Sequence, residues 1–210
     1  MKKTFLVFIF LVCVYGASAQ FKSGMIISGG KGSLSNMKLS DEIINKSEVP
    51  FWLSRDYKFN AALGYKFRFQ PKTMRFFYDI DLHLGVRQIK FEYSNFHYQY
   101  NEDGSLNWDS DTETYGASVS ESCYYFSINP SWNYRIIKGL HAGVGIEPTF
   151  YSIDFDKFKF DTPLTARIGY DFRFIDVAFI YKVGLFNTMD PDYLSSGRFD
   201  DWQIQVFIPF

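Results

Sequence analysis

The chain has 210 residues, a net charge of −1 and an aromatic content of 20%. The near-neutral charge argues against a nucleic-acid-binding protein, which would carry a basic face. So many aromatic rings are unusual for a soluble domain and typical of proteins at the boundary between lipid and water, where an amphipathic ring is stable.

Residues 1–19 are predicted to be a secretory signal peptide. Lys2 and Lys3 form a basic n-region, residues 5–14 form a short apolar core, and residues 17–19 (Ala-Ser-Ala) form a small-x-small cleavage site. The apolar core is too short for a spanning helix, which needs about 20 residues. Cys13 leaves a lipoprotein as an alternative, although Val12 stands where a small residue would be expected. An uncleaved, buried N-terminal helix is the remaining alternative.

Residues 20–210 suit a single domain. Cys123 is the one cysteine in this range, so no intramolecular disulfide is expected. The range contains no apolar run long enough for a transmembrane helix. An exported, aromatic-rich chain of this kind is either a periplasmic β-protein or a β-barrel of an outer membrane.

Eight segments alternate between apolar and polar residues, which is the period of a β-strand with two different faces. The first is weaker than the others. In chain order the segments are 21–34, 57–70, 74–87, 124–135, 140–151, 164–174, 176–186 and 201–210.

The connections between these segments alternate in length. Tight turns are expected at 70–73, 137–140 and 174–175, and long or medium connections at 35–55, 94–121, 154–161 and 187–200. Long loops on one rim and short turns on the other are typical of outer-membrane barrels, which have an even number of strands. The predicted fold class is all-β: an eight-stranded antiparallel up-and-down transmembrane β-barrel, formed by residues 20–210.

A soluble ligand-binding barrel would alternate too, with its apolar face inward. The glycines separate the two cases, because Gly64, Gly85, Gly143, Gly145, Gly169 and Gly184 all lie on the polar face. Small residues make room for long charged side chains inside a narrow barrel. Opposed charges there would pair and fill the lumen. The predicted lumen network is Arg75, Asp79, Asp81, His83, Arg87, Arg135, Glu147, Arg167, Asp171, Arg173, Asp176 and Lys182.

The aromatic residues of the apolar face fall into two groups by height, as expected for the two girdles of a bilayer-spanning barrel. The short-turn group is Phe67, Phe69, Phe76, Tyr78, Trp132, Tyr134, Tyr170, Phe172 and Phe210. The long-loop group is Tyr57, Phe59, Tyr124, Phe126, Phe150 and Trp202.

Two strand prolines, Pro130 and Pro148, fit this pattern least well. Each removes a donor from what should be a closed ladder. We expect a bulge or a local break at each, or else simply shorter fourth and fifth strands.

The last segment, "DWQIQVFIPF", alternates and ends on an aromatic residue, and "YYFSINPSWNYR" is followed by "GLHAGVGIEP". In these features the chain resembles the small outer-membrane β-barrel families of OmpA/OmpX type, and especially the PorT-like group. The resemblance implies a bacterial outer-membrane location and an assembly signal read by the barrel-assembly machinery, carried by Ile204, Val206, Ile208 and Phe210. It implies no reaction.

Residue patterns for chemistry are weak. A barrel-type lipid hydrolase would need Ser, His and an acid within hydrogen-bond reach, and no G-x-S-x-G motif occurs. His83, near Asp81, and His141, near Glu147, are interpreted as members of the interior network. We therefore predict a non-enzyme with no catalytic, metal or cofactor residues, and an envelope lipid-modifying enzyme remains the alternative.

The second long loop, 94–121, is acidic and aromatic. Its "NEDGSLNWDSDTE" segment offers oxygen ligands that calcium prefers, but without EF-hand spacing, and a solvated acidic loop is the simpler interpretation. Its aromatic residues suit a binding surface or, as we favour, an extension of the third strand above the membrane.

The predicted function is a filled barrel, too narrow for a general solute pore, with a structural, adhesive or accessory role. The expected partners are outer-membrane lipid, the barrel-assembly machinery and another envelope protein bound through loops 35–55 and 94–121, with no nucleic acid. A soluble periplasmic ligand-binding barrel is a further alternative.

Overall fold

The computed structural model describes residues 19–39, 52–71, 74–96, 103, 114–153, 157–187 and 194–210. The predicted signal peptide, apart from Ala19, lies outside these residues. The described residues contain eleven strand segments: β1 (Ala19–Leu39), β2 (Trp52–Asp56), β3 (Lys58–Pro71), β4 (Phe76–Phe96), β5 (Thr114–Arg135), β6 (Leu140–Ile146), β7 (Thr149–Ile153), β8 (Lys157–Asp161), β9 (Leu164–Asp171), β10 (Asp176–Val183) and β11 (Leu194–Pro209).

Eight of these segments form a closed ring. The order around it is β1, β3, β4, β5, β6, β9, β10 and β11, and β11 pairs back onto β1. Every pairing is antiparallel. The predicted eight-stranded antiparallel up-and-down barrel is therefore confirmed. Among the described residues, no helix is long and apolar enough to cross a bilayer.

The three remaining segments prolong strands of the ring. β2 precedes β3 across Tyr57, β7 follows β6 across residues 147–148, and β8 precedes β9 across residues 162–163. The prediction of a plain connection at 154–161 is thus wrong for residues 157–161, which pair with β7. The prediction for 187–200 is likewise wrong for residues 194–200, which begin β11.

The prolines behave differently from one another. Pro130 pairs with Ile80 inside the unbroken β5, so the expected bulge there is absent. Pro148 does lie at a break, between β6 and β7, but the ladder continues in the same register on both sides of it. Backbone bonds bridge the gap: the Ile128 amide donates to the Pro148 carbonyl at 3.1 Å, and the Glu147 amide to the Pro163 carbonyl at 2.8 Å. The carbonyls of Pro148 and Pro163 thus keep partners, and these bonds help to hold the wall closed at the break.

The long-loop end extends well past the ring. β4 and β5 pair continuously from Phe76↔Tyr134 to Phe96↔Thr114, and β1 runs to Leu39 with a register shift after Ser35. Parts of the predicted loops 35–55 and 94–121 are therefore strands. The favoured interpretation, that residues 88–100 extend the third predicted strand, is confirmed for residues 88–96. Residues 97–102 and 104–113, which carry most of the proposed calcium segment, lie outside the described residues.

Side chains alternate between a buried interior and an exposed apolar exterior. Leu63, Leu84 and Val144 are 59%, 66% and 64% exposed, whereas their chain neighbours Ala62, His83 and Gly143 are buried or half-buried. A soluble ligand-binding barrel has the opposite arrangement. The predicted assignment of the two faces is therefore correct. The interior contains the buried polar and charged side chains of the protein's described part.

Candidate functional site

The interior at the short-turn end contains a charged cluster around Arg68. Its guanidinium binds both oxygens of Asp79, at 2.8 and 2.9 Å, and Asp176 at 2.6 Å. His141 Nε2 lies 3.0 Å from Asp176, and the Phe77 ring centroid lies 4.6 Å from Arg68 Cζ. A guanidinium held by two carboxylates and a ring face has a fixed position inside this end of the lumen.

From Asp79 the network continues towards the long-loop end of the barrel. Besides Arg68 it contacts Arg167 at 3.3 Å and Lys66 at 3.4 Å, and Asp81 lies 3.0 Å from Arg167 and 3.5 Å from Lys66. All of these side chains are buried. Asp79 therefore neutralises part of three buried cations, which makes it the central carboxylate of the lumen.

Glu147 forms the next layer. It accepts hydrogen bonds from Lys182 at 2.8 Å, Ser127 at 2.7 Å and Asn129 at 3.2 Å. Its position follows from the break in the wall: residues 147–148 leave the strand, and the carboxylate still points inward between β5 and β10. Glu147 thus connects β5 with β10, which are not neighbours in the ring.

A fourth layer pairs Arg87 with Asp201. Asn60 donates to Asp201 at 3.0 Å and accepts from the Tyr125 hydroxyl at 3.1 Å. The Phe199 ring centroid lies 4.2 Å from Arg87 Cζ. Here the polar interior changes into an apolar one.

An apolar cap fills the interior above this layer, a feature that the sequence analysis missed. Its buried members are Leu34, Ala62, Ile89, Phe91, Cys123, Tyr125, Tyr151 and Phe199. Every second residue from Asp79 to Arg87 points inward, and Ile89 and Phe91 continue this alternation. Had the predicted strand been extended past residue 87, the sequence would have placed both side chains in the interior. Together, cap and ion pairs fill the described part of the lumen.

The structure buries eight of the twelve predicted network residues and leaves four elsewhere. The buried ones are Asp79, Asp81, His83, Arg87, Glu147, Arg167, Asp176 and Lys182. Arg135 and Asp171 are half-buried at the short-turn end of the barrel, and Arg75 and Arg173 are exposed. Arg75 precedes β4 and Arg173 lies in the turn after β9, so strand alternation does not orient either of them; placing them in the lumen was wrong.

Several polar residues of the interior were absent from the predicted network. They are Asn60, Lys66, Arg68, Ser127, Asn129, Asp201 and Gln205. Most of them lie on the polar face of the predicted strands, so the sequence pattern could have included them in the network. The suggested neighbour of His141 was Glu147, but the structure places His141 against Asp176; the ring closure, which sequence does not give, decides this.

A serine, a histidine and an acid do meet in the lumen. Ser127 Oγ lies 3.4 Å from His83 Nδ1, and both lie near Glu147. However, Ser127 donates to Glu147 at 2.7 Å, and His83 Nε2 contacts the Gln205 amide at 3.0 Å. In a catalytic triad the serine donates to the histidine and the acid orients the histidine. All three residues are buried rather than open to lipid, so this cluster does not supply the rim-exposed Ser–His pair that the hydrolase alternative requires.

Within the described ranges, no group of three or more His, Cys, Asp or Glu side chains is arranged to hold a metal ion. The residues of the expected assembly signal lie on the outer face: Ile204, Ile208 and Phe210 are exposed and Val206 is half-buried. The Phe210 ring centroid lies 6.0 Å from that of Tyr65.

The Glu147–Lys182 pair gives a test of the layered interior. Replacing Glu147 by glutamine should lower the free energy of unfolding by about 3 kcal/mol, because Lys182 then stays buried without its counter-charge. Adding Lys182→Met should restore most of that loss, since no uncompensated charge remains. Urea unfolding in detergent of the wild type, the two single variants Glu147→Gln and Lys182→Met, and the double variant gives the coupling energy of the pair. Single-variant losses that simply add in the double variant would contradict a buried, coupled pair.

Comparison with known proteins gives similarity of fold. No protein-family model matches the chain, and no curated protein matches it; the PorT-like resemblance thus gains no support. Solved structures that align with it include Neisserial surface protein A (12% identity, 91% of this chain and 99% of that chain, TM-score 0.47). They also include the attachment invasion locus protein Ail of Yersinia pestis, alone (13% identity, 91% and 99%, TM-score 0.36). Ail in complex with the heparin analogue sucrose octasulfate aligns at 11% identity, with 91% and 99% coverage and a TM-score of 0.38.

Proposed function

We propose that the protein is an integral β-barrel of a bacterial outer membrane. In this proposal the N-terminal segment 1–19 directs its export, and the barrel then enters the outer membrane. The observation that carries the proposal is the division of side chains between the faces. The exterior exposes many large apolar residues around the whole ring, and the interior holds ion pairs. Exposing that much apolar surface to water would be unfavourable, whereas lipid accommodates it.

The filled interior supports a role other than solute passage. Four layers of paired charges and an apolar cap occupy the described lumen, and an eight-stranded barrel is only wide enough for its own side chains. The activity of such a protein lies at its surface. We infer a structural, adhesive or accessory role in the envelope.

The part proposed to meet another envelope protein is the extension formed by β2, β4 and β5 above the ring. β4 and β5 remain paired up to Phe96↔Thr114, and β2 pairs with β4 between Asp56↔Lys90 and Trp52↔Ser94. Paired strands form a rigid support at the end of the barrel, and a rigid support suits recognition. The alternating, outward-facing last strand is proposed as the signal for the barrel-assembly machinery.

The test is heat-modifiability of the protein from a membrane fraction, boiled against unboiled, on a detergent gel. We expect a compact unboiled band that shifts on boiling, from membranes that resist sarkosyl, because a closed ladder resists detergent. A soluble protein that carbonate releases from membranes and that shows no shift would overturn the proposal.

A further inference from the structure

The short-turn end of the barrel has an excess of basic side chains. Among the described residues outside the buried network, Lys22, Arg75, Arg135, Lys138 and Arg173 lie at this end. Asp171 is the acidic side chain that accompanies them there, within the described ranges. Lys22 and Arg135 are half-buried at the mouth of the lumen, whereas Arg75, Lys138 and Arg173 are exposed.

Two of the turns also expose apolar side chains beside these cations. Ile137 is 63% exposed next to Lys138, and Phe174 is 83% exposed next to Arg173. In water such exposure is unfavourable. An apolar side chain beside a basic one is the combination that anchors a surface in the headgroup region, where the apolar group enters the lipid and the cation meets phosphate.

The turn that carries Arg173 is strained. Arg173 has φ 77°, a left-handed backbone conformation that normally selects glycine. The turn is closed by the Phe172 amide, which donates to the Ile175 carbonyl at 2.8 Å, and by the Arg173 amide, which donates to Asp171 Oδ1 at 2.9 Å. Strain of this kind is found where a side chain is needed for function.

We propose that Arg75, Ile137, Lys138, Arg173 and Phe174, here called the short-turn rim, bind the anionic phospholipid headgroups of the leaflet around them. The proposal rests on the proposed function, since the barrel must lie in a bilayer. Phosphate complements the charge of the rim. The surface is also continuous with the apolar exterior, because Phe172 packs on Tyr170 of β9 with ring centroids 4.7 Å apart.

The expected effect follows from the charge. A basic side chain near an anionic membrane surface contributes about fivefold in affinity. The rim should therefore enrich phosphatidylglycerol over phosphatidylcholine at the short-turn end, and salt should weaken that enrichment.

Trp132 is a natural reporter of this end. It is exposed and packs against Phe76. The purified protein is inserted into phosphatidylcholine vesicles, and its tryptophan fluorescence is titrated with brominated phosphatidylglycerol or brominated phosphatidylcholine. We expect preferential quenching by the anionic lipid. Trp132→Phe should remove the preference, because Trp202 and Trp52, the other tryptophans among the described residues, lie towards the long-loop end. Trp202 pairs with Lys31, and Trp52 pairs with Ser94 in the extension above the ring.

Two variants test the rim itself. Replacing Arg75, Lys138 and Arg173 together by glutamine should abolish the preference, whereas Lys38→Gln, an exposed lysine of the long-loop end, should leave it unchanged. Arg173→Gly should reduce the preference about fivefold while raising the thermal midpoint in phosphatidylcholine, since the strain is relieved. A higher midpoint with an unchanged preference would overturn the assignment of Arg173.

The heat-dependent gel shift, measured on the same vesicles, separates this inference from the proposed function. A wild-type barrel that shifts on boiling but quenches equally with both lipids overturns the inference alone. A protein that neither inserts nor shifts overturns both.

Discussion

Asp79→Ala should lower the free energy of unfolding by about 3–5 kcal/mol, the typical cost of leaving a buried charge uncompensated. Asp79 binds Arg68 through both oxygens and also contacts Arg167 and Lys66. Without Asp79, Arg68 keeps Asp176, and Arg167 and Lys66 keep Asp81. Two carboxylates then face three buried cations, so one positive charge is left uncompensated. Urea unfolding in detergent, followed by tryptophan fluorescence and the unboiled gel band, measures the loss.

Asp56→Asn is the matched control for this experiment. Asp56 also pairs with a cation, Lys58 at 3.0 Å, but the two side chains are 49% and 33% exposed. Water compensates an exposed charge, so the unfolding midpoint should not change measurably. If Asp79→Ala unfolded like the wild type, the lumen would have to be hydrated rather than filled by a buried network.

Leu63→Arg should be destabilising by about 2–4 kcal/mol in a bilayer, the cost of an arginine near the midplane on the lipid face of a barrel. Leu63 lies at the centre of the alternating segment 57–70, is 59% exposed, and pairs with Ile27 and Leu84 on neighbouring strands. Refolding into phosphatidylcholine vesicles, with the folded fraction read from the unboiled band across a urea series, measures the effect.

Gln88→Arg is its control, because Gln88 is exposed on β4 beyond the apolar run of that strand. Near the interface an arginine should cost no more than about 1 kcal/mol. The same pair distinguishes the membrane barrel from a soluble one. In water, an arginine at the exposed Leu63 position should change stability by no more than about 0.5 kcal/mol, so a neutral Leu63→Arg would contradict a lipid-facing exterior.

The charged lumen and the apolar exterior together specify a single arrangement of this sheet. A one-residue slip of any strand would move charged residues such as Asp79 and Arg167 into lipid and apolar residues into the lumen. The ion pairs across the interior thus help to fix register as well as to fill space.

The three prolines near the break in the wall, Pro130, Pro148 and Pro163, are tolerated because the register on both sides of the break is unchanged.

The sequence alone determined the strand count, the antiparallel order and the two faces. Alternation of period two is a local property, and it assigned Leu63 and Leu84 to the exterior and Asp79 and Lys182 to the interior before any pairing was known. Loop lengths supplied the topology. The same alternation failed at Arg75 and Arg173, because residues beside or within turns do not follow the strand period.

Only the tertiary structure decided which partners meet. Asp79 and Arg167 are separated by 88 positions, and His141 and Asp176 lie on different strands; closure of the ring places them together, and no local pattern encodes that distance. The apolar cap arises in the same way, from Leu34, Phe91 and Phe199 on three separate strands. The alternation within one strand assigns each side chain to a face of the sheet. Which side chains meet across the lumen depends on the tilt and stagger of the strands in the closed barrel.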